Sequence, residues 1–430
     1  MSIDEAIRHH EAGHLREAEA LYRSMLDADP RDPDVLHLLG VLLTQRGEYD
    51  DAVAHIRAAL DLDRDSVRFQ SSLAQAYFRS GKLREASAVL EDVVSRQPDS
   101  YQGFSDLGAV WQESGDLERA IAAYRRSIEL NPKLAIVHFN LGTALKLRGN
   151  TADAISCVET ALALDPSQAN FAATLAGYYL EAGEPGRALH TCKKCLSLAP
   201  RNLTALTFMS IALDRLGDRE GAARIVDFER LIQSRRLAAP PGYENISEFN
   251  RELAEHVRNH PTLKAEPVNN ATRYGKHTDN LLVNPSGPIP ALARLIDSAV
   301  TDYLKSLPLD PTHPYLAHRP SGFKYLMWSV VMDSQGHQLP HMHPDGWVSG
   351  VYYVELPGNM RTEARTRAGW IEFGRPLDAL TGSWQPTVRT LRPEEGALVL
   401  FPSYFYHQTI PFESPEQRIC IAFDALPRFR

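Results

Sequence analysis

The sequence predicts an α + β multidomain protein, with an N-terminal α-solenoid of repeated helix pairs and a C-terminal double-stranded β-helix (jelly roll) with supporting helices. Three observations lead to this prediction. A 34-residue period runs through the first 235 residues, a proline- and glycine-containing segment ends it, and short apolar runs follow Gly322. Repeated helix pairs stack into solenoids, whereas many short strands build sandwiches or barrels.

Composition narrows the possible classes of protein. The chain has 430 residues, a net charge of -8, 43% hydrophobic residues and four cysteines. This is enough apolar material for two or three cores, and a disulfide scaffold is excluded. The acidic balance disfavours nucleic-acid binding. The N-terminus is polar, and no run approaches the roughly 20 apolar residues of a membrane span. We therefore expect a cytoplasmic protein without nucleic-acid or membrane binding.

Two residue types mark the period in phase through seven units. A glycine and an alanine each recur every 34 positions, at Gly13, Gly47, Gly81, Gly115, Gly149, Gly183 and Gly217, and at Ala18, Ala52, Ala86, Ala120, Ala154, Ala188 and Ala222. Glycine suits the tight turn between two helices, where φ is positive. Alanine suits the point where two helix axes approach closely. Each unit is therefore a helix–turn–helix, and seven units form a solenoid.

These glycine and alanine positions resemble the tetratricopeptide repeat over residues 1–235. The resemblance implies a groove that holds an extended peptide or a helix. Asp106, Asn140 and Lys146 are candidate substrate-groove residues on the first helices of their units. Whether these three residues contact a ligand or form a solvated surface stays open. Cys192 and Cys195 fall on the packed face of a second helix, so we expect core thiols rather than a zinc or redox motif.

The repeat pattern stops at residue 235, and a linker is predicted at 236–245, where two prolines and a glycine break the helix pattern. The second domain is predicted over 246–430. Apolar residues at helical spacing predict helices from Ile246 to about Val257 and from Ile289 to Leu307. Beyond Gly322, runs of aromatic and β-branched residues predict strands.

Three histidines and one aspartate stand out in this strand-rich half. His341, His343 and Asp345 alternate along one segment, and His407 follows a Phe-Pro-Ser string. Residues i and i+2 of an extended strand point the same way, about 6.6–6.8 Å apart. His343 and Asp345 are therefore expected to converge on a cation, with His407 from a facing strand. Two histidines and a carboxylate suit non-haem Fe(II). His341 stays open as an alternative ligand or as a partner of one.

These motifs resemble the 2-oxoglutarate-dependent Fe(II) oxygenases, in particular repeat-fused bacterial members related to prolyl and aspartyl/asparaginyl hydroxylases. The resemblance covers about residues 240–430. It implies that His343, Asp345 and His407 bind Fe(II), and that Arg418 binds the distal carboxylate of 2-oxoglutarate by two parallel hydrogen bonds. O2 would be the third cofactor. No residue beyond the metal ligands is assigned a catalytic role.

Two departures from the family pattern bear on the site. Arg418-Ile-Cys420 stands where many such enzymes carry Arg-x-Ser, so a hydroxyl that helps to hold the cosubstrate is missing. Aspartyl hydroxylases carry a small residue where Asp345 stands. A site with two histidines and water is therefore also compatible with the resemblance.

The sequence thus predicts a 2-oxoglutarate-dependent dioxygenase that hydroxylates a peptide or protein side chain, with the solenoid capturing the substrate or a carrier protein. Two alternatives remain open. One is a non-catalytic interaction scaffold with a cupin-like module. The other is an oxygenase that acts on a small molecule or glycan, with the repeats serving assembly.

Overall fold

A computed structural model describes residues 2–265, 271–358, 360 and 367–429. The chain divides into two compact units, Met1–Pro166 and Ser167–Arg430. No helix in the described parts of the chain is long and apolar enough to cross a membrane.

The first unit consists of antiparallel helix pairs. Its helices are α1 (Ile3–Glu11), α2 (Leu15–Ala28), α3 (Pro33–Arg46), α4 (Tyr49–Leu62), α5 (Val67–Arg79), α6 (Leu83–Arg96), α7 (Tyr101–Glu113), α8 (Leu117–Leu130), α9 (Ala135–Leu147) and α10 (Thr151–Leu164). Side chains cap several of these helices: Asp32 accepts hydrogen bonds from the backbone N–H groups of Asp34 and Val35. Pro33 follows at the first helical position, where its missing N–H costs nothing.

The periodic glycines have the positive φ, and the periodic alanines the burial, that the sequence predicts. All seven glycines have positive φ, from 75° to 92°. At Gly13 and Gly81 an added Cβ would meet nothing within 4 Å, so the backbone conformation, not lack of space, selects glycine there. The periodic alanines are buried, six of them completely. Cys192 and Cys195 are fully buried as free thiols.

The second unit begins with helices of the same repeat pattern and continues into a mixed helix and sheet region. Its helices are α11 (Ala169–Glu181), α12 (Pro185–Leu198), α13 (Leu203–Arg215), α14 (Arg219–Ile225), α15 (Phe228–Leu231), α16 (Ile246–Arg258), α17 (Ile289–Ser306) and α18 (Asp378–Thr381). The two supporting helices predicted from 246 and 289 correspond to α16 and α17.

Among the described residues, ten antiparallel strands form one curled, jelly-roll-like sheet. They are β1 (Gln233–Arg236), β2 (Lys264–Ala265), β3 (Thr272–His277), β4 (Gly322–His341), β5 (Val348–Glu355), β6 (Ile371–Phe373), β7 (Arg389–Leu391), β8 (Ala397–Pro402), β9 (His407–Thr409) and β10 (Arg418–Arg428). The order is β1-β8-β5-β10-β4-β9-β6-β7, and β3 pairs with β2 and β4. The long strand β4 pairs with β10 over its first half and with β9 at its end.

The last repeat shares its core with the sheet. Leu206 of α13, Ile225 of α14 and Leu231 of α15 are at most 4% exposed and belong to the same buried cluster as the strands. β1 pairs with β8 through Gln233–Arg236, so the predicted linker at 236–245 begins inside a strand. A 34-residue period indicates that helix pairs repeat along the chain. It does not indicate to which hydrophobic core each helix pair belongs.

This shared core predicts how truncated proteins behave. Residues 167–430 should unfold cooperatively as an isolated protein. Residues 246–430 should not fold, because deleting the preceding helices removes several buried aliphatic side chains, each contributing about 2–5 kcal/mol, against a typical total stability of about 5–15 kcal/mol. Thermal unfolding followed by circular dichroism checks this. A cooperative transition for 246–430 would contradict the shared core.

Candidate metal centre

Three histidines meet where β4 and β9 end side by side. His341 is the last residue of β4 and lies opposite His407, the first residue of β9. His343 follows two residues after His341, before the turn at Pro344 and Asp345. One ring nitrogen from each histidine lies within 4.8 Å of the other two. In the described part of the chain, this is the only such group of three or more potential metal ligands.

Each of the three imidazoles is held through Nδ1. The Nδ1 atom lies 2.7 Å from the Leu339 carbonyl oxygen in His341 and 3.1 Å from the Phe405 carbonyl oxygen in His407. In His343 it lies 2.8 Å from Asp424 Oδ2. Because all three partners are acceptors, Nδ1 carries the proton in each ring. The Nε2 lone pairs are therefore left for a metal ion.

The surroundings of His341 and His407 favour the neutral form of these two rings. Burial, and after it the neighbouring His343, lower the pKa of His341 to about 4. Burial is the main cause that lowers the pKa of His407 well below its usual value. The charges that His341 and His343 would carry lower this pKa as well. Neutral imidazole is the form that binds metal ions, because a protonated ring has no free lone pair.

Asp424 is a buried carboxylate behind His343 that the sequence analysis missed. Its Oδ1 accepts a hydrogen bond from the Ser349 hydroxyl at 2.6 Å, and Ser349 Oγ lies 2.8 Å from Ser403 Oγ. Asp424 lies on β10, an even number of residues after Arg418. Strand periodicity places both residues on one face of β10, so the sequence carried a signal for this carboxylate.

Arg418 is a buried cation without an anionic partner among the described residues. It is 1% exposed, and its guanidinium lies over the Tyr353 ring at 5.2 Å. Its Nη1 contacts two sulfur atoms, Met332 Sδ at 3.7 Å and Cys420 Sγ at 3.4 Å. Within the described part of the chain, Arg418 Nε and the Tyr353 hydroxyl have no hydrogen-bond partner, and no carboxylate pairs with Arg418. Burying an unpaired charge is costly, so this site suits a bound carboxylate ligand.

The histidines and Arg418 line one cavity. Trp328 stacks on His343 with ring centroids 5.9 Å apart, and Phe401 packs on His407 at 4.7 Å. A metal ion and a small dicarboxylate that contacts both the metal and Arg418 fit this donor set. The cavity walls are otherwise mainly apolar, which is typical of a site that limits access of water.

Asp345, predicted as a metal ligand, is not part of the histidine group. It lies in the turn after His343 and lines a separate cavity with Arg201, His318 and Trp347. β4 ends at His341 and the chain turns at Pro344, so the i, i+2 spacing of an extended chain does not apply to His343 and Asp345. This spacing brings together the side chains of His341 and His343 instead.

The three predicted groove residues lie in the first unit. Asp106 on α7 lines a cavity together with Ser72, Gln75 and Phe78. Gln102 donates a hydrogen bond to Asp106 at 2.8 Å, and burial raises the pKa of this carboxyl group. Asn140 and Lys146 lie on α9 and are half buried.

Comparison with protein families matches two parts of the chain. Residues 326–424 match the family described as "Putative 2OG-Fe(II) oxygenase". Tetratricopeptide-repeat families match at 9–71, 43–105, 112–149 and 139–202. The chain therefore carries tetratricopeptide repeats followed by a domain of the 2-oxoglutarate/Fe(II) oxygenase type. No curated protein matches it.

Solved structures similar to this chain include three repeat proteins. A tetratricopeptide protein of Thermus thermophilus is 26% identical, covering 42% of this chain and 98% of that one, with a TM-score of 0.36. MamA of Desulfovibrio magneticus RS-1 is 22% identical over 38% and 93%, with a TM-score of 0.35. A repeat protein of Parabacteroides merdae ATCC 43184 is 17% identical over 53% and 89%, with a TM-score of 0.42.

The contact between Asp424 and His343 predicts an effect on metal affinity. Asp424→Asn should weaken Co(II) binding by about 10–100-fold, because the amide keeps the shape but loses the charge that makes His343 a stronger donor. Anaerobic titration with Co(II) measures this. Ser349→Ala, which removes a hydrogen bond from Asp424 but leaves its charge, should have a smaller effect. Equal affinities of wild-type protein and Asp424→Asn would show that the carboxylate does not act on the metal.

Proposed function

We propose that this protein is a non-haem Fe(II)- and 2-oxoglutarate-dependent dioxygenase that hydroxylates a peptide or protein side chain. One observation supports this most strongly. Three imidazoles with their Nε2 atoms available share a cavity with a buried guanidinium that has no anionic partner among the described residues. Metal ligands and a carboxylate-binding cation in one cavity are what such a reaction requires.

The proposed metal ligands are His341, His343 and His407. This set replaces the combination of His343, Asp345 and His407 expected from the sequence. Imidazole suits Fe(II), and three ligands that converge from one side leave positions open for a cosubstrate. Three neutral ligands do not offset the charge of the ion. Asp424, one hydrogen bond behind His343, supplies a negative charge near it.

Arg418 is proposed to hold the carboxylate of 2-oxoglutarate that is distant from the metal. A guanidinium binds a carboxylate by two parallel hydrogen bonds, and its unpartnered Nε–H is one available donor. The Tyr353 ring lies beside the guanidinium, and its hydroxyl has no hydrogen-bond partner among the described residues. Fe(II) and 2-oxoglutarate, when bound, supply the oxidising chemistry: O2 delivers one oxygen atom to a substrate C–H bond and the other to succinate, with release of CO2.

The repeats are proposed to capture the polypeptide substrate or its carrier. The cavity beside Asp106 combines amide, hydroxyl and carboxylate groups with the Phe78 ring, which suits an extended peptide with polar and apolar side chains. Asn140 and Lys146 are included as groove residues in this proposal. Tethering a peptide-binding module to an enzyme raises the local substrate concentration, to about the millimolar range for a short connection.

The buried Arg418 favours an enzyme over a non-catalytic scaffold. A scaffold gains nothing from burying a charge without a partner, whereas a cosubstrate site needs one.

We also propose that the protein acts in the cytoplasm. Cys157, Cys192, Cys195 and Cys420 are free thiols, which persist in a reducing compartment.

Substitution of single ligands tests the metal set. His341→Ala, His343→Ala and His407→Ala should each abolish Fe(II)-dependent succinate formation, because two imidazoles do not hold the ion in place. Asp345→Ala should retain Fe(II) binding. The control is His337→Ala, a partly buried histidine of β4 whose Nδ1 contacts the Gln335 carbonyl group. Unaltered turnover by His407→Ala, or loss of iron from Asp345→Ala, would refute the proposed ligand set.

Arg418→Met tests the cosubstrate site by its effect on stability. In the wild-type protein with Mn(II), N-oxalylglycine at 100 times its Kd should stabilise the fold by about 2.7 kcal/mol. This stabilisation should disappear in Arg418→Met, while Mn(II) affinity changes little. Without N-oxalylglycine the variant should be at least as stable as the wild type, since it no longer buries an unpaired charge. Scanning calorimetry measures both effects. Equal stabilisation of the two proteins would exclude Arg418 as the anchor.

A further inference from the structure

The side chain of Thr207 on α13 reaches from the last repeat to the histidine-bearing segments. It is 3% exposed, and its hydroxyl oxygen lies 2.7 Å from the Tyr404 carbonyl oxygen and 3.3 Å from Met342 Sδ. The Leu203 carbonyl oxygen of the same helix lies 3.0 Å away. A hydroxyl has one proton, and the shortest of these contacts points to the Tyr404 carbonyl group as its main acceptor.

The two contacts outside α13 involve both segments that carry the metal ligands. Met342 stands between His341 and His343 in the sequence. Tyr404 lies in the turn between β8 and β9, and the next residue, Phe405, provides the carbonyl group that holds His407 through Nδ1. A single hydroxyl group therefore contacts the two segments that must keep a fixed separation if the three Nε2 atoms are to converge.

The turn is also fixed at the side chain of Tyr404. Its phenol donates a hydrogen bond of 2.5 Å to the carbonyl oxygen of Ile225, the last residue of α14. The backbone N–H of His343 donates to the Ser403 carbonyl group at 2.9 Å, which joins the two segments directly. The last helix pair thus holds the turn at its backbone and at its aromatic ring.

We propose that Thr207 is a positioning residue for the metal centre, through which the last tetratricopeptide repeat sets the separation of the His341–His343 segment and His407. This inference rests on the proposed function, because it needs a metal at the three histidines. It gives the last repeat a role in building the active site, separate from substrate capture.

Ser210 provides a matched control on the same helix. It is 7% exposed, and its hydroxyl donates to the Thr207 carbonyl oxygen at 2.7 Å, within α13. Removing this hydroxyl affects a buried hydrogen bond whose donor and acceptor both lie on α13. Any loss of function that follows only from lower stability of helix α13 should therefore appear in Ser210→Ala as well.

The experiment compares Thr207→Val, Thr207→Ser and Ser210→Ala in the full chain. Valine keeps the shape of threonine but lacks the hydroxyl, whereas serine keeps the hydroxyl. Anaerobic titration with Co(II) gives the affinity, and the visible absorption of bound Co(II) reports its coordination geometry. Hydrogen exchange of peptides that cover 339–345 and 403–409 reports the order of both segments without any metal.

Thr207→Val should bind Co(II) about tenfold more weakly, the scale of effect expected for groups that orient metal ligands. Its Co(II) spectrum should change, and both peptides should exchange faster. Thr207→Ser and Ser210→Ala should resemble the wild type in all three respects. Wild-type Co(II) binding and exchange in Thr207→Val would overturn the inference, as would an equal loss in Ser210→Ala. Failure of the wild-type protein itself to bind Co(II) would overturn the proposed function, and the positioning role with it.

Discussion

Three imidazole rings can bind one ion only if each ring presents an unprotonated nitrogen atom to a common point. In this protein the fold achieves that by giving every Nδ1 an acceptor: two carbonyl groups that lie two residues earlier in the chain, and one buried carboxylate from a neighbouring strand. The acceptors belong to β4, β10 and the turn before β9. The convergence of the histidines therefore depends on the register of the sheet.

The same sheet carries a buried cation on β10, which is proposed to hold an anionic ligand. Arg418 and Asp424 occupy one face of this strand and have opposite surroundings. Asp424 has a serine and a histidine as partners, whereas Arg418 has sulfur atoms and an aromatic ring. One charge is satisfied by the protein, and the other has no anionic partner among the described residues. We expect this asymmetry of a binding site rather than of a structural ion pair.

Features set by local geometry could be predicted from the sequence, whereas features set by contacts between distant segments could not. The glycine at each repeat turn is predictable because positive φ is a local requirement, and α16 and α17 follow from apolar spacing. His407 and Arg418 could be identified from the sequence as candidate site residues, and both line the cavity that contains the three histidines. Asp345 was selected by a spacing rule for extended chain, but the turn at Pro344 makes that rule invalid there. No sequence pattern indicated a role for Thr207, since its hydrogen-bond partners Met342 and Tyr404 lie far away in the sequence.

His341, His343 and His407 together are proposed to hold a metal ion beside Arg418. The most direct test is a crystal structure of the full chain with Mn(II) and N-oxalylglycine, with the ion located by its anomalous scattering. We expect Nε2 of all three histidines as ligands, and the distal carboxylate of N-oxalylglycine on the Arg418 guanidinium. An ion bound by the Asp345 carboxylate, or an inhibitor that leaves Arg418 without a partner, would refute this assignment.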